Sequence, residues 1–199
     1  MDVINGLASA WPVHTERMKN TLLLCILVAA LAASAAFAQT GQTALQPIAS
    51  LNVARYLGTW YEIAKYPNSF QKKCVRNTRA DYQAQADGTV QVRNRCVTAD
   101  GKTTEALGVA RQVGPADSPK LKVRFAPVWL SFLPMVWGDY WVIDLDPQYQ
   151  LAAVSEPQRE YLWVLSRTPT VDAAAYQALL ARLAQRGLDV QRIVLSPQE

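Results

Sequence analysis

Val90-Gln91-Val92-Arg93-Asn94-Arg95-Cys96 alternates between two kinds of side chain. Val90, Val92, Asn94 and Cys96 fall on one face; Gln91, Arg93 and Arg95 fall on the other. Period-two alternation puts one face inside and one in water, the signature of a half-buried strand. Further along, Leu121, Val123 and Phe125 alternate with Lys120, Lys122 and Arg124 in the same way. Ala80, Tyr82 and Ala84 make a third inward row, and two of its three members are small. Working outward, turn residues punctuate the chain at regular spacing: Pro67-Asn68, Asp87-Gly88, Asp100-Gly101, Gly114-Pro115, the stretch from Pro127 to Gly138, Asp146-Pro147 and Glu156-Pro157. Between them lie eight predicted strands: 59–66, 75–84, 90–96, 104–113, 121–125, 139–145, 151–155 and 161–167. Before them, Gln39 to Ser50 is polar and turn-prone, a leader that wraps or dangles.

One helix follows. Thr170 is the N-cap candidate, with Asp172 in the first turn, where the helix dipole favours negative charge. Val171, Ala174, Ala175, Ala178, Leu179 and Leu183 recur at helical spacing, and Gly187 sits where a C-cap glycine belongs. A short strand over 190–195 closes the chain. Many short strands and one terminal helix predict an all-β fold: an eight-stranded antiparallel up-and-down barrel, the helix packed outside, with a short final strand. Closure removes the sheet edges, and a barrel of this size is filled by side chains or holds one small ligand. Small inward residues favour the second.

The chain has 199 residues and a net charge of +4. Met18, Lys19, the apolar run from Leu22 to Ala33 and the small residues ending Ala36-Phe37-Ala38 have the layout of a secretory signal. The apolar run falls short of the ~20 residues a membrane span needs. Residues 1–17 are read as an upstream extension, 18–38 as a cleaved signal, and 39–199 as a single domain in the periplasm or at the outer membrane. Cys25 follows Leu24 inside the apolar run rather than ending it, an unusual position for a lipid anchor.

The sole histidine, His14, precedes the domain, so Ser-His-Asp and Cys-His nucleophile systems, a His-ligated haem and the usual zinc sites are excluded there. The reading is therefore not an enzyme; no cofactor or metal is implied, and no basic stripe points to nucleic acid. An oxidising compartment with Cys74 and Cys96 left over predicts a disulfide. The loop of about 23 residues gives it about 3 kcal/mol in the chain-entropy relation. A tight Asp87-Gly88 hairpin, however, places Cys96 opposite about residue 79. The bridge therefore needs a looser turn, or Cys74 curling over the strand end.

Gly58-Thr59-Trp60-Tyr61-Glu62 resembles the opening G-x-W motif of the lipocalins. Asp146 with Tyr149 resembles a shortened second motif, and Arg167, ending Tyr161-Leu162-Trp163-Val164-Leu165-Ser166-Arg167, resembles the third. The resemblance runs from about Leu51 to Ser196 and is closest to the bacterial outer-membrane-lipoprotein type, with apolipoprotein D and plant temperature-induced lipocalins as relatives. It implies that Gly58, Trp60, Asp146 and Arg167 are structural. Trp60 would close the narrow end with Arg167 across it, a cation–π pair of about 1–2 kcal/mol. It also fixes a phase: with Arg167 inward, Leu165, Trp163 and Tyr161 face inward too. Trp163 is then a cavity residue or an ordinary core tryptophan.

If the first strand starts at the closed end, loops 67–74, 98–103, 126–138 and 156–160 surround the mouth, and both cysteines fall there. Loop 126–138 is uncharged and carries Trp129, Phe132 and Trp137 among other large apolar residues. It covers the mouth, pairs with a second copy, or dips into a bilayer interface. The expected ligand-binding residues of cavity and mouth are Phe70, Tyr82, Val92, Asn94, Phe125, Trp129, Phe132, Trp137, Tyr140 and Trp163. Lys65, Lys72, Lys73 and Arg76 are head-group candidates or plain solvating charges. Glu62 is a buried anchor or a structural acid. The partner implied is a lipid, either fatty acid or lysophospholipid, stored or moved for membrane maintenance by a monomer or homodimer; the alternative is another small hydrophobe of the carotenoid or tetrapyrrole type.

Overall fold

The computed structural model describes residues 43–199. The expectations for the extension, the signal and Cys25 lie outside the described residues. A single turn of helix, α1 (Val53–Tyr56), leads into eight consecutive antiparallel strands: β1 (Gly58–Lys65), β2 (Cys74–Ala84), β3 (Val90–Thr98), β4 (Thr103–Gln112), β5 (Lys120–Arg124), β6 (Gly138–Leu145), β7 (Leu151–Ser155) and β8 (Leu162–Ser166). Helix α2 (Ala173–Gln185) and a two-residue β9 (Val194–Leu195) follow. Each strand pairs with the next, and β1 pairs with both β8 and β2, so the sheet closes into the expected barrel.

The seam between β1 and β2 is closed in two ways. Gly58–Tyr61 pairs with β2, whereas Ala64 and Lys65 pair with β9. The switch occurs where β2 shifts register twice between Cys74 and Arg79, with Asn77 at φ 53°. Chain end 194–199 fills the opened wedge. Ser196 N–H donates to Ile63 O, Asn77 N–H to Pro197 O, and the Gln198 amide reaches both Glu62 O and Thr78 O.

Two apolar layers hold the fold. Leu51, Tyr56, Trp60, Val92, Leu121, Val154 and Leu165 belong to the layer inside the barrel. Tyr66, Ile143, Ala153, Leu162 and Val164 join Leu179, Leu183 and Leu188 between the barrel wall and α2. Strand β7 is therefore buried at every position, because helix and barrel interior cover its two faces. Asp144, buried on that wall, is gripped by the Arg182 fork at 2.8 and 2.9 Å.

Three local expectations are corrected. The N-cap of α2 is Asp172, whose carboxylate accepts from Ala175 N–H, not Thr170. The packed stripe runs through Tyr176, Leu179, Leu180 and Leu183, while Ala174, Ala175 and Ala178 stay in water, since a methyl contributes little against larger side chains. Of the expected strand 190–195, Val190–Arg192 is a 3-10 turn capped by Asp189, and only two residues pair. Gly187 does end the helix, at φ 77°.

Candidate functional site

The narrow end is built from the three motifs. Trp60 is fully buried and donates through Nε1 to Tyr56 O at 2.8 Å. The Arg167 guanidinium lies 4.0 Å from the Trp60 ring centroid and donates to the carbonyls of Thr59, Arg55 and Tyr149. Gly58, at φ 93°, leaves room for it: a Cβ there would stand 3.3 Å from the Arg167 guanidinium. Asp146 ties the β6–β7 turn by accepting from the N–H groups of Gln148, Gln150 and Leu151. That turn sets Tyr149 at φ 62°, where its ring receives the Arg55 guanidinium. These groups form a plug with no reactive pair.

Above the plug lies a cavity of about 930 Å³, a size that suits a small-molecule ligand. The room comes from small inward residues: Ala80, Ala106 and Ala110 line it, and Gly108 sits across from Val92. A Cβ on Gly108 would meet the Phe125 ring and Arg124 O, each at 2.7 Å, so the glycine lets Phe125 lie against β4. Of the expected binding residues, the structure brings Phe70, Tyr82, Val92, Asn94, Phe125, Trp137, Tyr140 and Trp163 to the cavity wall or mouth.

Trp129 and Phe132 are corrected: they stand outside the lining, 72% and 76% exposed. The loop coils into two 3-10 turns, Val128–Leu130 and Pro134–Val136, tied by Trp137 Nε1–H donating to Ser131 O. Coiling turns Ala126 and Val136 toward the cavity and throws Val128, Trp129 and Phe132 outward. Arg124, expected in water, is buried instead. With Arg111 it flanks the Trp137 ring, at 5.3 and 4.2 Å, and it donates to Ala126 O, anchoring the loop root.

At the mouth, Phe70, Tyr161 and Trp163 form an aromatic group with centroids 5.4 to 6.2 Å apart. Trp163 is thus a cavity residue, and its Nε1–H donates to Gln71 Oε1. Glu62 is buried and accepts from Lys65, Gln71 and Ser196, so it is a structural acid bordering the cavity. Lys65 is committed to Glu62, and Arg76 to Glu199. Lys73 remains at the opening with no ion pair among the described residues.

The disulfide joins Cys74 to Cys96, Cα atoms 5.5 Å apart, at the mouth. The turn is looser than a two-residue hairpin, with Ala84 pairing Val90, and the two register shifts carry Cys74 level with Thr98. The looser turn is thus one of the two expected routes and supplies a small part of the offset. Cys74 does not curl over the strand end but stays paired in β2, and the register shifts supply the rest.

Sequence reasoning missed Tyr56 and Leu51 on the cavity floor. The signal was present: Asn52, a favoured N-cap residue type, caps α1 by accepting from Arg55 N–H, so the stretch between the leader and Gly58 holds a helical turn that the expected element order lacks. The described part of the leader, from residue 43, wraps: Leu45 is buried, and Ile48 N–H donates to Val142 O.

Residues 51–198 match the Lipocalin-like domain. The chain belongs to the lipocalin family. It is 40% identical over 161 residues to temperature-induced lipocalin-1 of Arabidopsis thaliana, covering 80% of this chain and 86% of that one. It is 36% identical over 176 residues to the outer membrane lipoprotein Blc of Escherichia coli K12, covering 86% and 95%. Among solved structures, insecticyanin of the tobacco hornworm Manduca sexta superposes with a TM-score of 0.58 at 16% identity, covering 76% and 83%, a likeness of fold alone. Lipocalins typically bind small hydrophobic ligands.

Proposed function

We propose that this lipocalin is a carrier, not an enzyme, that holds a fatty acid or lysophospholipid in its barrel and exchanges it with membranes of the cell envelope. The observation that carries the reading is the large cavity walled chiefly by apolar side chains and open at one end. Each methylene that enters such a cavity from water contributes about 0.8 kcal/mol. The charged head of the lipid stays at the mouth, where Lys73 faces it. Val128, Trp129, Phe132 and Met135 project from the mouth loop into water, an apolar group suited to the bilayer interface, where tryptophan is favoured. The envelope assignment rests on the signal-like start and on relatives named outer membrane lipoproteins.

Native mass spectrometry of protein recovered from the periplasm, followed by organic extraction and titration with lysophosphatidylethanolamine, tests this. A co-purifying acyl lipid, or quenching of Trp163 on titration, is the expected result. An apo mass with no quenching overturns the reading, and a visible absorption band reassigns the ligand to the conjugated class. For the loop, Trp129→Ser combined with Phe132→Ser is expected to reduce vesicle association at least about tenfold. Unfolding free energy is expected to move by no more than about 0.5 kcal/mol, because both residues are exposed. Undiminished vesicle association would exclude the loop as the contact.

A further inference from the structure

Three phenols meet on the cavity floor from distant parts of the chain. Tyr56 comes from α1, Tyr82 from β2 and Tyr140 from β6. Tyr140 Oη lies 3.0 Å from Tyr56 Oη and 3.0 Å from Tyr82 Oη. Around them stand Leu51, Val90, Val92, Ala110, Leu121 and Leu165, which offer no side-chain polar partner. Three hydroxyls carry three protons, and a chain of two hydrogen bonds uses two of them. The third proton has no protein acceptor among the described residues, and several oxygen lone pairs are likewise unspent.

A buried donor without a partner costs about 1–3 kcal/mol. An interior meant only for packing would be cheaper with phenylalanine at all three positions. All three rings border the cavity, so the spare donor is available to whatever fills it. Burial pushes all three phenols above the ordinary tyrosine range, so they remain protonated donors. The same desolvation disfavours an anion at this depth. The cation nearby, Arg167, is covered by the Trp60 ring and spends its donors on three carbonyls.

We propose that Tyr56, Tyr82 and Tyr140 form a ligand subsite for an uncharged oxygen, so that the hydrophobe in the barrel carries a hydroxyl or carbonyl oxygen at the end that enters first. The proposal rests on the carrier reading and narrows its ligand class to oxygenated chains. The leading oxygen accepts the spare phenol proton; a hydroxyl also donates to an unspent lone pair. A plain methyl end would leave the third donor unsatisfied.

The test compares palmitate, ω-hydroxypalmitate and cetyl alcohol by tryptophan fluorescence. The second carries its neutral oxygen at the tail with a carboxylate left for the mouth, and the third carries it at the head, so the two distinguish which end leads. Wild-type protein is expected to bind one of the two oxygenated probes at least as tightly as palmitate. In the triple Tyr56→Phe, Tyr82→Phe, Tyr140→Phe variant, which keeps every ring, the affinity ratio of that probe to palmitate is expected to fall about tenfold. Tyr82→Phe alone, which leaves the Tyr56–Tyr140 bond and one spare proton in place, serves as a second variant and is expected to move the ratio in the same direction but by less than the triple variant. Palmitate binding with both oxygenated probes at least about tenfold weaker, or an unchanged ratio in the variants, overturns the subsite alone. Failure of all three probes to bind overturns the subsite and the carrier reading together.

Discussion

Arg167 shows how one side chain can hold an entire barrel end. Its fork joins β1, α1 and the β6–β7 turn through three carbonyls while its plane covers Trp60. Arg167→Ala is expected to lower unfolding free energy by about 2–4 kcal/mol, from the lost cation–π contact and the unsatisfied carbonyls. Arg167→Lys should recover only part of this, because a point charge cannot serve three acceptors set in different directions. Urea unfolding midpoints give both numbers. The tyrosines make a second prediction at this scale. Burial, the largest cause, pushes Tyr82 up to about 12 and raises Tyr56 and Tyr140 as well. The folded protein therefore keeps protons that the unfolded chain releases near pH 10. Stability is intact below that pH and falls as pH rises toward 12, by about 1.4 kcal/mol per pH unit for each such tyrosine. Urea midpoints across this range should show the fall, and the triple phenylalanine variant should make it shallower, the remainder coming from Tyr66 and Tyr176, which burial also raises. Tyr82 was legible as an inward residue from strand phase and Tyr140 was expected at the cavity, but that their hydroxyls touch was not.

Among elements, the least conspicuous has a large role. Strand β9 and the residues after it occupy the wedge where β2 leaves β1. Ser196 also supplies one of the three donors to buried Glu62. Deleting residues 194–199 is expected to destabilise the fold by about 2–4 kcal/mol, through unpaired β1 and β2 groups and an under-satisfied buried carboxylate. Faster amide exchange along 62–65 and 76–79 in the truncated protein would show it; unchanged exchange would mean that the wedge closes by itself. Helix α2 was placed correctly by its period, yet half of its expected apolar face is alanine in water. Period alone cannot rank positions on one side of a helix; the wall it packs on does that. Loop 126–138 stood out through composition, but which of its aromatic rings turn inward depended on two 3-10 turns that its sequence did not announce.

At the scale of the molecule, the disulfide secures the mouth, where β2 and β3 end and the barrel has no plug. Replacing Cys74 and Cys96 together by alanine is expected to cost about 3 kcal/mol in the chain-entropy relation. It should leave β-sheet circular dichroism unchanged, because the bridge constrains the unfolded chain more than it builds the barrel. Strand count, strand phase, the terminal helix, the plug residues and the family were all readable from the chain. They rest on side-chain periodicity and short motifs, which are local. Closure of the barrel is not local in this way, since β1 meets β8 across about a hundred residues. What only the tertiary structure decided was where long-range register breaks. Two shifts in β2 allow the disulfide, open the seam for the chain end and leave Glu62 bordering the cavity. Convergence of Tyr56, Tyr82 and Tyr140 belongs to the same class, because three residues meeting from an α-turn and two strands follow from closure and tilt, not from any spacing along the chain.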